Sequence, residues 1–502
     1  MNPPAEAPPS GAADHPITVD VLVVGFGAAG AAAAIAAHDA GASVAVVEKT
    51  STGGGNCVHS GGFLFELDGP LAVEHLDALC FGKTDRPVLE AYARGLPDVP
   101  AFIGQLGGAT APVDLDAFGG MLPSWPLFPG AGHVGYRQFV PEAGERPGPG
   151  LWRVLDAALR AREIPVALDT PVIDLVCEAG SVVGAFVAHG GERRTIAARG
   201  GVILCSGSFE ADPELRDTYL PLPLVSVGHP GNTGDTLRLA QAAGASLWHM
   251  STFFGWLSFV HRGYPVAFTL DVHAPSFIYV DGDGRRFTDE TGWEVHDLLR
   301  SLTTYLPRRP NRPSMPGWII LDEAARQAGP LHGIVGSPNG YAWSPDNSAE
   351  VAAGWIKRGA DSDELARATG LDPVILKDTL ASYAAAVSRR ADHEFGRAPA
   401  TLVPLMPPLY AIQVMPGVAT ASGGPRRDAQ ARVLQPGGGA GGAGGDPIPG
   451  LFAAGAAGSI WGHLTEHGGG LTDAIVFGRI AGEHAASRAG RLTTNATNQG
   501  AT

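Results

Sequence analysis

The residues with the plainest chemical purpose are three glycines and one acid near the N-terminus. In VLVVGFGAAG, Gly25, Gly27 and Gly30 have the GxGxxG spacing. The first admits a tight turn, the second lets main chain approach a pyrophosphate, and the third lets helix and strand pack closely. A helix starting at this turn aims its N-terminal amides at the phosphates. Glu48 closes the next apolar run, SVAVVE, at the distance where an acid accepts from ribose hydroxyls and disfavours a 2′-phosphate. Directly after it, TSTGGGNCVHSGGF at 50–63 sets five glycines among small polar side chains. Bare main chain there can meet phosphates and a flat ring system. Cys57 and His59 are that loop's candidates for a covalent bond to such a ring, and no sequence sign favours one.

A second group of able residues lies further along. WHMSTFFGWLSFVHRGY at 248–264 gathers large rings with His249, His261 and Tyr264 as polar handles; it suits either plain core or a wall against a flat, weakly charged ligand. LYAIQVMPG at 409–417 offers Tyr410. WGHLTEHGGG at 461–470 puts His463, Glu466 and His467 beside glycines at a helix start. No further fixed ligand is evident there, so no metal is expected.

The elements that must hold these groups follow from apolar periodicity. VDVLVVG reads as strand, AAAAIAAHDAG as helix and SVAVVE as strand, so the apolar run at 21–37 is a β-α-β turn and not a membrane span. An amphipathic helix is expected at 151–162, strands around Ala167 and Val183, and a further apolar strand in GVILCSG at 201–207. From 248 to 398 the character changes, with more aromatics, a strand at FIYVD and helices at 361–369 and 373–390. The reading is therefore a disordered tail at 1–16, a nucleotide-binding domain in two parts at 17–247 and 399–502, and a second domain at 248–398. QPGGGAGGAGGDP at 435–447 is expected to be a flexible loop.

Composition narrows the function classes. Seventy glycines and forty-one prolines accompany 45% hydrophobic and only 17% charged residues, which excludes collagen and wholesale disorder and leaves turns, close packing and ligand contact. A net charge of −15 disfavours nucleic acid or an anionic membrane as partner. Cys57, Cys80, Cys177 and Cys205 are scattered without metal-ligand spacing, so reduced thiols and a cytoplasmic location are expected. The first sixteen residues lack the basic and apolar regions of an export signal.

Taken in order, several blocks carry a resemblance: VLVVGFGAAG, EKTSTGGGN with SGG, CSGSF at 205–209, GNTGDTLRLAQAAGASLWHM at 231–250, YVDGDGRRFTDE at 279–290, YAIQVMPG at 410–417, PGLFAAG at 449–455 and GGLTDAIVFGRIAG at 469–482. The chain resembles the FAD-dependent fumarate reductase and succinate dehydrogenase flavoprotein superfamily, particularly its soluble 3-ketosteroid dehydrogenase branch. That resemblance implies an α/β fold: a Rossmann-like, glutathione-reductase-like FAD-binding domain with an inserted α+β capping domain. It assigns Gly25, Gly27, Ala28, Ala29, Gly30, Glu48, Lys49 and Thr50 to the ADP side. Gly54, Gly55, Asn56, Ser60, Gly61 and Gly62, with Val172, Ser206 and Gly207, complete the cradle, and Gly455, Gly470 and Leu471 line the ribityl and isoalloxazine region. The covalent histidine of the respiratory enzymes lies some six residues before a GG pair; here His59 lies two before Gly61, so FAD is expected to be non-covalent.

The departures set the expected chemistry. Where fumarate reductases place a substrate-clamping arginine before the final helix, this chain has HLTEHGGG, with Thr465 near the arginine's position, and the histidine before TMGG is replaced in VATASGG at 418–424. Tyr410 matches the FYA-type tyrosine of ketosteroid dehydrogenases. The implied activity is oxidation or reduction of a C–C bond next to a carbonyl-like group in a largely neutral substrate, with hydride passing at flavin N5. Tyr410, Tyr264, His249, His467 and Tyr136 are the candidate proton-handling residues. An electron acceptor or donor is implied and left unidentified. The alternatives are a small-acid reductase, in which Arg262, Arg285 or Arg286 reaches the flavin, and a flavin-binding protein without turnover.

Overall fold

A computed structural model of the chain describes residues 17–114, 125–293, 296, 298–302, 313–332, 337–437 and 444–499. The expected tail at 1–16 and most of the glycine loop, 438–443, lie outside the described residues. Strand β1 (Ile17–Val24) is buried from Val21 onward, as an unbroken apolar run must be in a parallel sheet covered on both faces. It turns at Gly25 into helix α1 (Ala28–Asp39), and β2 (Val44–Val47) returns parallel to β1. Glu192–Leu204 and Pro447–Ala453 extend the sheet on the other side of β1, both parallel, and Val166–Ala167 extends it beyond β2. The Val172–Glu178/Ser181–His189 hairpin adds antiparallel strands to Glu192–Leu204. The amphipathic helix is Pro147–Ala161. This is the expected FAD-binding Rossmann-like architecture.

Two helices fix where its working ends lie. Residues 28–35 of α1 are all buried, which a stretch of alanines with one glycine and one isoleucine permits because little bulk projects from any face. The C-terminal helix Gly469–Gln499 lies against it with Gly478 and Gly482 at the contact. A methyl group on Gly478 would come 2.6 Å from the Ala29 carbonyl oxygen, and one on Gly482 would run into that of Ala33. Close helix contact therefore accounts for glycines that ligand binding does not need.

A second sheet, of seven strands among the described residues, forms the cap. Its central strand, Leu409–Val418, pairs with Leu257–Phe259, Gly317–Asp322, Ile356–Gly359 and Val225–Ser226. Helices Ser362–Thr369 and Pro373–Arg389 pack on it through Leu365, Leu376 and Tyr383. The strand pairings cross the expected domain boundaries here. Leu409–Val418, assigned with 399–502 to the nucleotide-binding domain, is the middle of the capping sheet, and Val225–Ser226, assigned before 248, joins it too. Nearly every residue of Leu409–Val418 is buried, so its apolar run fits either sheet equally and the sequence does not choose. A small sheet of Phe63–Leu67, Val134–Phe139 and Thr110–Pro112, which was not expected, carries Tyr136.

Candidate active site

The turns at the ends of these strands open onto one cavity. Gly25 and Gly27, Ala28 and Ala29 at the start of α1, and Glu48, Lys49 and Thr50 after β2 line one end. Gly54, Gly55, Asn56, Ser60 and Gly61 follow, with Val172, Ser206 and Gly207 beside them and Gly455, Gly470 and Leu471 from the C-terminal part. Gly30 and Gly62 are outside this lining. A methyl on Gly30 would run into the Gly25 oxygen, the helix–strand packing that the spacing predicts, and one on Gly62 would meet Pro147 Cβ at 2.6 Å. Gly62 thus serves a packed turn and not the cradle.

The cradle fits a dinucleotide. Gly27 has φ −103°, open to any residue, and a methyl there would meet nothing nearer than the Gly54 oxygen at 3.7 Å. The protein leaves that space to something else, at the N-terminus of α1 where a phosphate is favoured. The Glu48 carboxylate is aimed by the Phe26 and Thr50 amides, each at 2.9 Å, and the Thr50 hydroxyl at 2.8 Å. Lys49 donates to Thr233 Oγ1 at 2.7 Å and to Asp235 at 2.6 Å. His59, in the wall, is held down at about 4 by burial and then by His229 and Arg146, so its ring is neutral. Its Nδ1 and the Ser459 hydroxyl are buried there without a partner among the described residues, positions a bound group can satisfy.

The other end is ring-lined. Phe254 and Trp256 form its wall with His296, whose ring centroid lies 5.2 and 4.5 Å from theirs, and His467 lies 4.4 Å from His296. Asp271 also lines this end, its carboxyl raised by burial against the pull of His273 and His296. Glu466 lines it beside His467. Among the described lining residues the one lysine or arginine is Lys49, already engaged at the opposite end.

Of the five expected proton-handling residues, His467 lines the cavity and Tyr136 stands directly behind it, its hydroxyl 2.5 Å from Glu466 Oε2. The other three are placed elsewhere. Tyr410 is buried in the capping sheet with the Arg326 guanidinium 5.5 Å from its ring centre, Tyr264 packs against Phe268, Tyr341 and Trp355, and His249 stacks on Trp248 with Nδ1 2.8 Å from the Ser459 oxygen. Burial holds His249 down at about 4. Arg286, offered as a substrate clamp, is tied to Glu290 and Asp392, and Arg262 and Arg285 are absent from the described lining. The sequence reading passed over His296 and Asp271, which sit in no local motif. Trp256 lies within the aromatic run at 248–264, and the sequence offers Glu466 only as a metal ligand.

Similarity to known proteins runs along nearly the whole chain. A probable fumarate reductase of Shewanella frigidimarina is 28% identical, covering 94% of this chain and 75% of that protein. A 3-oxosteroid 1-dehydrogenase of Mycobacterium tuberculosis is 26% identical over 94% of this chain and 99% of its own. The crystal structure of 3-ketosteroid delta1-dehydrogenase from Sterolibacterium denitrificans, in complex with 1,4-androstadiene-3,17-dione, superposes with a TM-score of 0.80 at 25% identity, covering 94% and 99% of the two chains. Some other relatives are matched over about half their length. The family model described as FAD binding domain matches residues 20–471. The chain belongs to that family and is an FAD-dependent oxidoreductase acting on CH–CH groups, with FAD bound non-covalently.

Proposed function

We propose that this enzyme desaturates or reduces a C–C bond next to a carbonyl-like group in a largely neutral, apolar substrate, with cyclic ketones and steroids as the first class to test. The observation that carries the reading is the substrate end of the cavity, walled by Phe254 and Trp256, bearing the carboxyl groups of Asp271 and Glu466 and no arginine among its described residues. Removing a carboxylate from water costs several kcal/mol unless a cation meets it, so this wall opposes a dicarboxylate. A flat apolar ring gains about 25 cal/mol per Å² of surface buried against the same aromatics. The similarity to 3-oxosteroid 1-dehydrogenase supports the reading.

Bound FAD supplies the two-electron acceptor or donor for the hydride. The chain's part is to hold the substrate flat between ring walls, keep water out and handle the accompanying proton. His467, packed against His296, is the expected residue best placed at the wall for that last task. A small-molecule electron acceptor or donor completes the cycle.

Anaerobic bleaching of the purified yellow protein with a panel of cyclic ketones, steroids, enoates and dicarboxylates tests the reading. Neutral ketones should bleach the flavin, or their unsaturated counterparts reoxidise it. Bleaching by succinate and by no neutral compound overturns it. Trp256→Ala should raise KM for the neutral substrate by at least about tenfold, the loss expected on removing one large buried ring from a binding wall.

A further inference from the structure

A proton is built into the cavity wall behind His467. Three buried side chains from three separate elements meet there: His75 on the helix Ala72–Cys80, Tyr136 on the strand Val134–Phe139, and Glu466 in the turn before the C-terminal helix. The side chains of His75 and Glu466 are fully enclosed. His75 Nδ1 lies 2.9 Å from the Pro129 carbonyl oxygen and Nε2 lies 3.3 Å from Glu466 Oε1, while the Tyr136 hydroxyl is 2.5 Å from Glu466 Oε2. A carbonyl oxygen only accepts, so His75 Nδ1 carries a hydrogen. Nε2 then faces a carboxyl oxygen, and two opposed lone pairs in an enclosed site would repel. One hydrogen must lie between them. The pair therefore holds one proton more than a neutral imidazole and a carboxylate, whether written as imidazolium or as carboxylic acid.

Of the three residues, Glu466 lines the cavity, whereas His75 and Tyr136 are not among its lining residues. We infer that Glu466, His75 and Tyr136 are positioning residues that hold this proton behind the cavity wall and supply it toward the substrate, the enclosed Glu466 carboxyl having one oxygen on His75 and the other on Tyr136. The inference rests on the function proposed above. In the reductive direction bound FAD, once reduced, would supply the hydride for the new C–H bond at the carbon β to the carbonyl. The electron pair of the C=C bond takes the proton supplied by the loaded pair at the α carbon, leaving imidazole and carboxylate, and oxidised FAD. In the oxidative direction the emptied pair receives the α proton as the C=C bond forms and the β hydride leaves to oxidised FAD. The loaded resting form makes the site a proton donor first.

The proton can be seen without turnover. In the FAD-loaded protein at neutral pH, ¹⁵N-histidine NMR and infrared difference spectra against Glu466→Gln should show one of two signals. Either both His75 ring nitrogens are protonated, or a carboxylic-acid C=O band disappears with the substitution. Finding a bare His75 Nε2 and no such band overturns the inference, and the histidine measurement needs no variant to fold. Glu466→Gln should also slow reoxidation of the reduced flavin by an unsaturated ketone about 10²- to 10⁴-fold, the usual span for a lost general acid, and abolish the solvent isotope effect. Tyr136→Phe should move the pH profile of that step. Turnover by Glu466→Gln at the native rate, with the native isotope effect, sinks the inference alone. Failure of every neutral compound to react with native protein sinks the proposed function while leaving the spectroscopic proton to be found or not.

Discussion

Gly27 and Gly30 answer to different demands although they belong to one motif. The space at Gly27 faces the cavity, and the space at Gly30 is filled by the Gly25 oxygen. Gly27→Val should therefore leave the melting temperature of FAD-free protein nearly unchanged while weakening FAD binding at least tenfold, about 1.4 kcal/mol or more. Gly30→Ala should overpack the helix against the turn and cost about 1–3 kcal/mol of stability with or without FAD. Thermal melts of the apo-protein and fluorescence titration with FAD separate the two, and equal destabilisation by both would contradict the distinction. The glycine turns at Gly25, Gly27 and Gly30 were legible because turn chemistry is local: spacing alone tells where main chain must come close. Tyr410 is outside the described cavity lining for a reason of length. Ala419 and Thr420 at the far end of its strand reach the cavity, but nine or ten strand residues separate Tyr410 from them, roughly 30 Å at 3.3 Å each. Nearness in sequence to a glycine-rich segment is no guide when a fully extended strand lies between.

At the scale of elements, the contact between α1 and the C-terminal helix couples the phosphate end of the cavity to the turn carrying Glu466 and His467. Gly478→Ala puts a methyl 2.6 Å from the Ala29 oxygen, so the helices must part by several tenths of an ångström or more. The expected cost is about 1–3 kcal/mol, accompanied by looser FAD because Ala28 and Ala29 at the start of α1 shift with it. Gly490 lies in the same helix, and a methyl there meets nothing within 4 Å. Gly490→Ala should stabilise the protein by about 0.5–1 kcal/mol through helix propensity alone. Calorimetry of the two variants, read with FAD retention after gel filtration, checks both signs; a destabilising Gly490→Ala would show that this part of the helix is constrained in some other way. The parallel sheet was readable because β1 and β2 flank a run of alanines, the residue of highest helix propensity. The capping sheet was not, because its central strand comes after two helices and its pairing partners are scattered from Val225–Ser226 to Ile356–Gly359.

Across the whole molecule, one buried carboxyl joins the cofactor loop to the cap. Glu210 Oε1 accepts from Asn232 Nδ2 at 2.5 Å and from Asn56 Nδ2 at 3.1 Å, and Asn56 also donates to the Ala419 oxygen and accepts from the His229 amide. Oε2 is buried without a partner among the described residues. Burial pushes Glu210 up to about 7, against the hydrogen bonds from Asn232 and Asn56 that favour the charged form. Between about 4.5 and 7 the unfolded chain has lost this proton while the folded protein keeps it, so stability falls as pH rises through that window. His59 and His249, both held near 4 by burial, act in the opposite sense: folding excludes protons that the unfolded chain binds below about 6.5, so their contribution rises from pH 4 to 6.5. In the native protein the two histidines outweigh the one carboxyl up to about pH 6.5, which is why the carboxyl must be removed to expose its part. Glu210→Gln keeps an oxygen for Asn232 and Asn56 and removes the charge. Relative to the native protein it should be nearly neutral at pH 4.5 and more stable at pH 8 by up to about 3 kcal/mol, the equivalent of some 2.5 pH units at 1.36 kcal/mol each. Thermal midpoints measured from pH 4.5 to 8 should diverge by a few degrees as pH rises. A constant gap would mean that Glu210 ionises in the folded protein as it does in the unfolded chain, and the joint between cofactor loop and cap would then be held by a carboxylate at every pH in that range.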